Sequence, residues 1–418
     1  MKLLLLLSLL PFTNAIAAGD PAPWPRWRGP ADNGSSVQGS YPLKWNAANV
    51  RWKALLPGKG CSTPIVLGHR IILTAPVEGQ DAALAFDWEG KELWRKTLGP
   101  EQAGKRQNSS GCNPSPASDG ASVFVYFKSG NLAALDLEGN VRWITNLVAA
   151  FGAEKLFWDQ GTSPVLTRDA VVIARMQHED SWLAAFDKTD GRLRWKVARN
   201  YETPVEGDNS YTTPLVIQDE SKEAVVVWGG EHLTAHSATD GQLLWSCGDF
   251  NPQGMSYWPA VASPVLVGNV VIVPSGRADR DTPRLHGIKL GGTGDVTATH
   301  RAWKSQEAGT FVPTPVEYKG LVYIVTDKGQ VECIDPATGK IVWRDVFPKG
   351  KGSFFSSPII AAGKLYAARE DGVVFVAQVE GKFEVLAENP MEEQVIASPV
   401  PVDNRLLIRG EKHLFCIE

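Results

Sequence analysis

The residues of this chain with the most chemical capacity fall in short polar stretches that precede a recurring Ser/Thr-Pro. They are Asn108, Asn113, Trp158, Asp159, Asp208, Asn209, Tyr211, Asn251, Trp258, Glu307 and Lys349. Carboxylate and amide oxygens are hard donors that suit Ca²⁺, and an Asp beside a carbinol can act as a general base. The same mixture interleaved with aromatics could instead hold a small ligand, a peptide or a glycan. Asn108, Trp158, Asp159, Asp208, Tyr211, Trp258, Glu307 and Lys349 are the ligand-binding candidates. The plain alternative is a solvated loop rim with no ligand at all.

Other motifs carry less. Gly99 to Lys105 approximates a phosphate-binding loop, but Arg106 stands where Ser or Thr is required, and no helix pattern follows. Gly292-Thr293-Gly294 lacks a third glycine and a βαβ context. His232 and His236 share one strand face without a third metal ligand nearby. No Gly-x-Ser-x-Gly elbow occurs. Asn33-Gly34-Ser35 and Asn108-Ser109-Ser110 are glycosylation sequons, meaningful only in a eukaryotic secretory host. No catalytic or metal residue is assigned.

The elements that must position these loops repeat. Prolines 64, 116, 164, 214, 264, 315, 358 and 399 each follow Ser or Thr, at spacings of 52, 48, 50, 50, 51, 43 and 41 residues. Such a period is the mark of a repeat architecture. Within each unit a strand ends in a small-apolar-acid triplet, as in Ala85-Phe86-Asp87, Ala134-Leu135-Asp136, Ala185-Phe186-Asp187 and Cys333-Ile334-Asp335. The Asp suits a turn because its carboxylate accepts nearby backbone N–H groups, and a following Gly supplies positive φ. A further strand then carries Trp94, Trp143, Trp195, Trp245, Trp303 or Trp343, each placed for packing between units. Units five and seven depart from the pattern, with a polar excursion over 276–284 and Val385 in the Trp position.

Eight units of four strands predict an all-β, eight-bladed propeller. The last unit lacks its Trp strand at Glu418, whereas Asn49-Val50-Arg51-Trp52 matches Asn140-Val141-Arg142-Trp143. The N-terminal strand is therefore expected to complete the eighth blade, leaving no open blade edge. Expected divisions are a signal peptide over 1–17, a leader packed on the propeller over 18–45, and the propeller over 46–418. Lys2, the apolar run Leu3–Leu10 and Ala15-Ile16-Ala17 have the form of an export signal, and that run is too short to span a bilayer. A periplasmic or extracellular monomer follows. Net charge is −4, so nucleic acid is not an expected partner. Of five cysteines, Cys61 and Cys112 precede neighbouring units and could bridge, while Cys247, Cys333 and Cys416 suit the core.

The stretch Ala185 to Trp195, echoed over Cys333 to Trp343, resembles the pyrroloquinoline-quinone-like repeat. The leader Trp24-Pro25-x-Trp27-Arg28-Gly29-Pro30 is similar to the start of exported propellers of that group. One branch comprises quinone-dependent alcohol and sugar dehydrogenases, which use pyrroloquinoline quinone with calcium. Another comprises non-catalytic propellers, including the lipoprotein of the outer-membrane β-barrel assembly machinery. This chain is shorter than the dehydrogenases and has no vicinal Cys-Cys and no Cys-x-x-Cys-His. It also has no lipid-bearing Cys near the expected cleavage site. The reading is a non-catalytic platform without cofactor, binding an unidentified protein, peptide or glycan. A quinone dehydrogenase and a carbohydrate-binding propeller are the alternatives.

Overall fold

The computed structural model describes residues 22–46, 49–219 and 222–418. The expected signal peptide lies outside them. Eight antiparallel sheets follow one another around an axis. In chain order, blades 1 to 7 occupy 65–100, 117–146, 165–198, 215–247, 265–305, 316–346 and 359–390, and blade 8 combines 400–417 with 50–55. Val50–Leu55 pairs antiparallel with His413–Ile417, placing Trp52 opposite Cys416 and Lys53 opposite Phe415. Both ends of the ring thus meet within one sheet.

Burial follows from the stacking of blades. The inner three strands are covered on both faces, so Ala170–Arg175 and Asn131–Leu135 are buried at every residue. Half-buried and exposed residues alternate along fourth strands such as Val50–Leu55. A strand sandwiched between two sheets has no wet face, and its pattern becomes a continuous apolar run. The core is a series of layers between blades. One layer joins Ile71, Leu73 and Leu84 of blade 1 to Val400, Leu407 and Leu414 of blade 8.

Two devices clamp adjacent blades. Five fourth-strand Trp residues, Trp52, Trp94, Trp143, Trp195 and Trp303, lie on the turn glycine of the next blade and donate their indole N–H to a carbonyl there. Trp52 donates to Trp88 O at 2.7 Å, Trp94 to Leu137 O at 3.0 Å, Trp143 to Lys188 O at 2.9 Å, Trp195 to Ala238 O at 3.1 Å and Trp303 to Pro336 O at 2.8 Å. The glycine has positive φ and no room for a side chain: a Cβ on Gly191 would sit 2.5 Å from the Trp143 ring. The turns are held by Asp carboxylates, Asp187 Oδ1 accepting Thr189 N–H at 2.9 Å. That residue's hydroxyl and N–H hold the Asp187 carboxyl below its usual range. Trp245, fully buried, packs in the layer with Val271 and Ile288 of blade 5, and Trp343 meets Phe383 at 5.8 Å.

The second clamp is the residue before each proline. Thr63 N–H donates to Ser115 Oγ, Ser115 to Ser163, Ser163 to Thr213, Thr213 to Ser263, Ser263 to Thr314, Thr314 to Ser357 and Ser398 to Thr63, all at 2.9–3.2 Å. These seven bonds form a polar belt around the axis. Ser398 Oγ takes the indole N–H of Trp27 at 3.2 Å.

The leader runs inside the ring. Trp24 exchanges two backbone bonds with Val66, Pro25 O accepts Ser118 N–H, and Asn33 O accepts Glu317 N–H. The leader therefore crosses from blades 1 and 2 to blade 6. Ser35–Ser36 then pairs parallel with Ile359–Ala361, making blade 7 five-stranded. Blade 4 also gains a fifth strand, Gly294–Asp295, on its outer edge. Both blades keep their four antiparallel strands, as expected, and the two-residue additions extend them. Buried Arg28 donates to Pro358 O at 2.9 Å and Pro315 O at 3.1 Å. Beside Arg28, the channel keeps a small cavity of about 30 Å³ lined by Trp27, Asp32 and the Ser/Thr-Pro residues of blades 2 to 6. Cys61 N–H bonds Cys112 O at 3.3 Å, and both thiols are free. No helix among the described residues is long and apolar enough to cross a membrane.

Candidate functional site

The loops joining one blade's fourth strand to the next blade's first strand share one face of the ring. The leader passes the opposite end, where Ser40 N–H meets Asn404 in the turn between the first two strands of blade 8. The eight candidate residues are distributed unevenly over the loop-bearing face.

Asp159 is structural in its contacts. Its carboxylate takes the Lys128 ammonium at 2.6 Å, with both side chains essentially inaccessible, together with Lys105 N–H at 2.7 Å and the Ser109 hydroxyl. Burial alone would raise this carboxyl, but the Lys128, Ser109 and Lys105 donors hold it below its usual range. The group fastens the loop 101–111 to blades 2 and 3. Farther along that loop, Asn108 donates to Glu370 of blade 7 at 2.9 Å and accepts from Gln394 at 2.9 Å. The loop consequently reaches over the channel mouth past blade 8. Trp258 is buried with its indole N–H on Ser275 O. Asp208 pairs with His178 Nδ1 at 2.7 Å. Glu307 and Lys349 stand exposed on separate loops and do not join the others.

What the fold does assemble is an arc of uncovered apolar side chains. Phe157 (51% exposed), Trp158 (46%), Val205 (63%), Met255 (45%) and Tyr257 (53%) come from three consecutive inter-blade loops. Arg106 lies over this arc, 5.2 Å from the Phe157 ring and 4.9 Å from the Trp158 ring. The loops are tied to one another. Trp158 N–H donates to the Tyr211 hydroxyl at 3.0 Å, Tyr211 N–H to Ala260 O at 2.9 Å and Tyr257 N–H to Val205 O at 2.7 Å. Burial raises the Tyr211 phenol, which keeps it protonated. Asn251 grips Met255 through bonds of 3.0 and 2.9 Å and Glu231 at 2.6 Å. Tyr257 holds a left-handed φ of +61°, which aims its ring outward at a backbone cost. Of these exposed groups, sequence reasoning singled out only Trp158. The missed signal was large apolar residues inside polar, Gly- and Pro-rich loops.

Among the described residues, no three His, Cys, Asp or Glu side chains converge to hold a metal ion. His236 is spent on Gly241 O and Thr234 Oγ1, and the His232 ring stacks on Tyr201 at 3.7 Å. Gly99 lies in the strand Glu92–Pro100, not in a loop before a helix.

A protein family described as "Outer membrane protein assembly factor BamB" matches residues 41–184, 158–290 and 293–383. The crystal structure of BamB from Moraxella catarrhalis is similar at TM-score 0.62 and 14% identity, over 88% of this chain and 96% of that one. A europium-containing methanol dehydrogenase is similar at 0.66 and 12%, over 94% and 90%. The quinohemoprotein alcohol dehydrogenase from Comamonas testosteroni is similar at 0.64 and 14%, over 94% and 80%. At these identities the structural likenesses establish the fold alone. No curated protein matches the chain in sequence.

Proposed function

Because the chain belongs to the family described as outer membrane protein assembly factor BamB, we propose that it is an exported, non-catalytic propeller that docks a polypeptide partner on its loop-bearing face. The observation that carries this reading is the arc of Phe157, Trp158, Val205, Met255 and Tyr257. Contiguous uncovered apolar side chains on a soluble face mark interaction sites. Aromatic residues with a nearby Arg are the types that dominate binding energy at interfaces. Bonds between the loops fix the arc before any partner arrives, which reduces the ordering cost of association.

Blockage of the axis supports a surface role over chemistry in the channel. The leader occupies one end and the loop 101–111 leans across the other. Asp159, one of the candidate acids on that rim, is consumed by Lys128. Periplasmic residence is part of the same proposal.

The test is photo-crosslinking in the native cell envelope with a photoreactive amino acid at 158 or 257, and at exposed Val342 on a fourth strand as control. One defined adduct from 158 and 257, suppressed by Phe157→Ala, is expected. Equal labelling at all three positions would overturn the reading.

A further inference from the structure

The third strand of blade 5, Leu285–Lys289, carries an imidazole where equivalent strands carry Leu84, Ala133 or Ala184. His286 is 3% exposed, and neither ring nitrogen has a hydrogen-bond partner among the described residues. Buried polar atoms are normally satisfied, and an orphaned pair calls for a missing acceptor or donor. The ring is held in place at 4.6 Å from Phe250, which lies on the loop leaving blade 4.

His286 lines a small cleft between blades 4 and 5, together with Arg284, Lys304, Gln253, Ser305 and Gln306. The charges there are unbalanced. Asp249, the acid on the cleft wall, is engaged by Arg301 at 3.1 Å. Among the described residues, the Arg284 side chain has only the carbonyl of its neighbour Pro283 as a hydrogen-bond partner, at 3.0 Å, and Lys304 is exposed. Among these residues, two cations therefore face the cleft without a carboxylate partner. Burial first, then Arg301, Lys304 and Arg284, push the imidazole down to about 3, so it is neutral near pH 7 and offers one N–H. A neutral donor flanked by cations matches an oxygen anion, which accepts from the ring and from both side chains.

We propose that the blade 4–blade 5 cleft binds a small oxyanion head group, a phosphoryl or carboxylate group, through His286, Arg284 and Lys304. The polar wall of Gln253, Ser305 and Gln306 supplies further hydrogen-bonding capacity for such a head. A cation is disfavoured there by the same two side chains. The cleft shares the blade 4–blade 5 loop with Met255 and Tyr257 but none of the arc's side chains, so its failure would leave the docking proposal standing.

The experiment is a histidine-labelled NMR titration of the full mature chain, with the His286 signal assigned through His286→Gln. Inorganic phosphate and acetate are added separately at constant ionic strength. The expected result is a saturable shift of the His286 ring resonance near pH 7. In Arg284→Ala/Lys304→Ala the affinity falls by roughly tenfold or more, as loss of charge-assisted bonds requires. A response to phosphate alone identifies a phosphoryl ligand, and a response to acetate identifies a carboxylate. The proposal is overturned if His286 is unmoved both by about 50 mM phosphate and by about 50 mM acetate, well above a millimolar dissociation constant. An unchanged affinity in the double variant also overturns it.

Discussion

Replacing Gly191 by Ala tests the Trp clamp between blades. Gly191 has φ +72°, and an added Cβ would lie 2.5–2.6 Å from the Trp143 ring. A left-handed Ala costs about 1 kcal/mol relative to Gly. The ring must also move, which strains a packed layer by about 1–3 kcal/mol. That movement loses the Trp143 indole bond to Lys188 O, about 1 kcal/mol more. The total is about 3–5 kcal/mol. Blade 7 supplies the control. Gly381 has φ +82° in the corresponding turn, but nothing lies within 4 Å of its added Cβ. Gly381→Ala should therefore cost only about 1 kcal/mol. Urea unfolding followed by Trp fluorescence and circular dichroism measures both variants, with matching slopes as the condition for comparing midpoints. Equal losses at the two positions would refute the steric account of the clamp.

Other consequences are open to direct measurement. Lys128→Met leaves the Asp159 carboxylate buried without its cation, and the loss should be about 3–5 kcal/mol, with faster amide exchange across 101–111. Arg28→Met leaves the carbonyls of Pro315 and Pro358 without their donor. It should cost about 2–3 kcal/mol, and limited proteolysis should then cut within 24–36 first. His236 is lowered to about 4 by burial, against an ordinary value near 6.5. The unfolded chain thus binds the extra proton first as pH falls. The stability linked to this group is complete above about pH 6.5 and is lost progressively down to about pH 4. Between pH 6.5 and 4.5 the wild-type urea midpoint should fall more than that of His236→Asn.

The ring was legible because its signals are local and repeated. Ser/Thr-Pro starts recur eight times, spaced Trp residues seven times and Asp-led glycine turns four times, and Trp52 displaced to the N-terminus betrayed the closure. The hydroxyl belt was not legible, since each bond joins residues 43 to 52 apart, or 335 apart at the closing joint. Nor did local pattern indicate that Trp24 to Ser36 would run within the ring, because their hydrogen-bond partners come from four different blades. The site was harder for a related reason. Asp159 looked available until Lys128 was seen to neutralise it, and Asn108 until Glu370 and Gln394 engaged it. Phe157, Val205 and Tyr257 lie on three different loops, and only the ring's curvature brings them into one arc.

Amide hydrogen exchange resolved by peptide reads the closure most directly. If both chain ends share blade 8, amides of Val50–Leu55 exchange as slowly as those of His413–Ile417, and both are released together in rising denaturant. Release of 50–55 at low denaturant while 413–417 stays protected would contradict a ring stitched from its two ends.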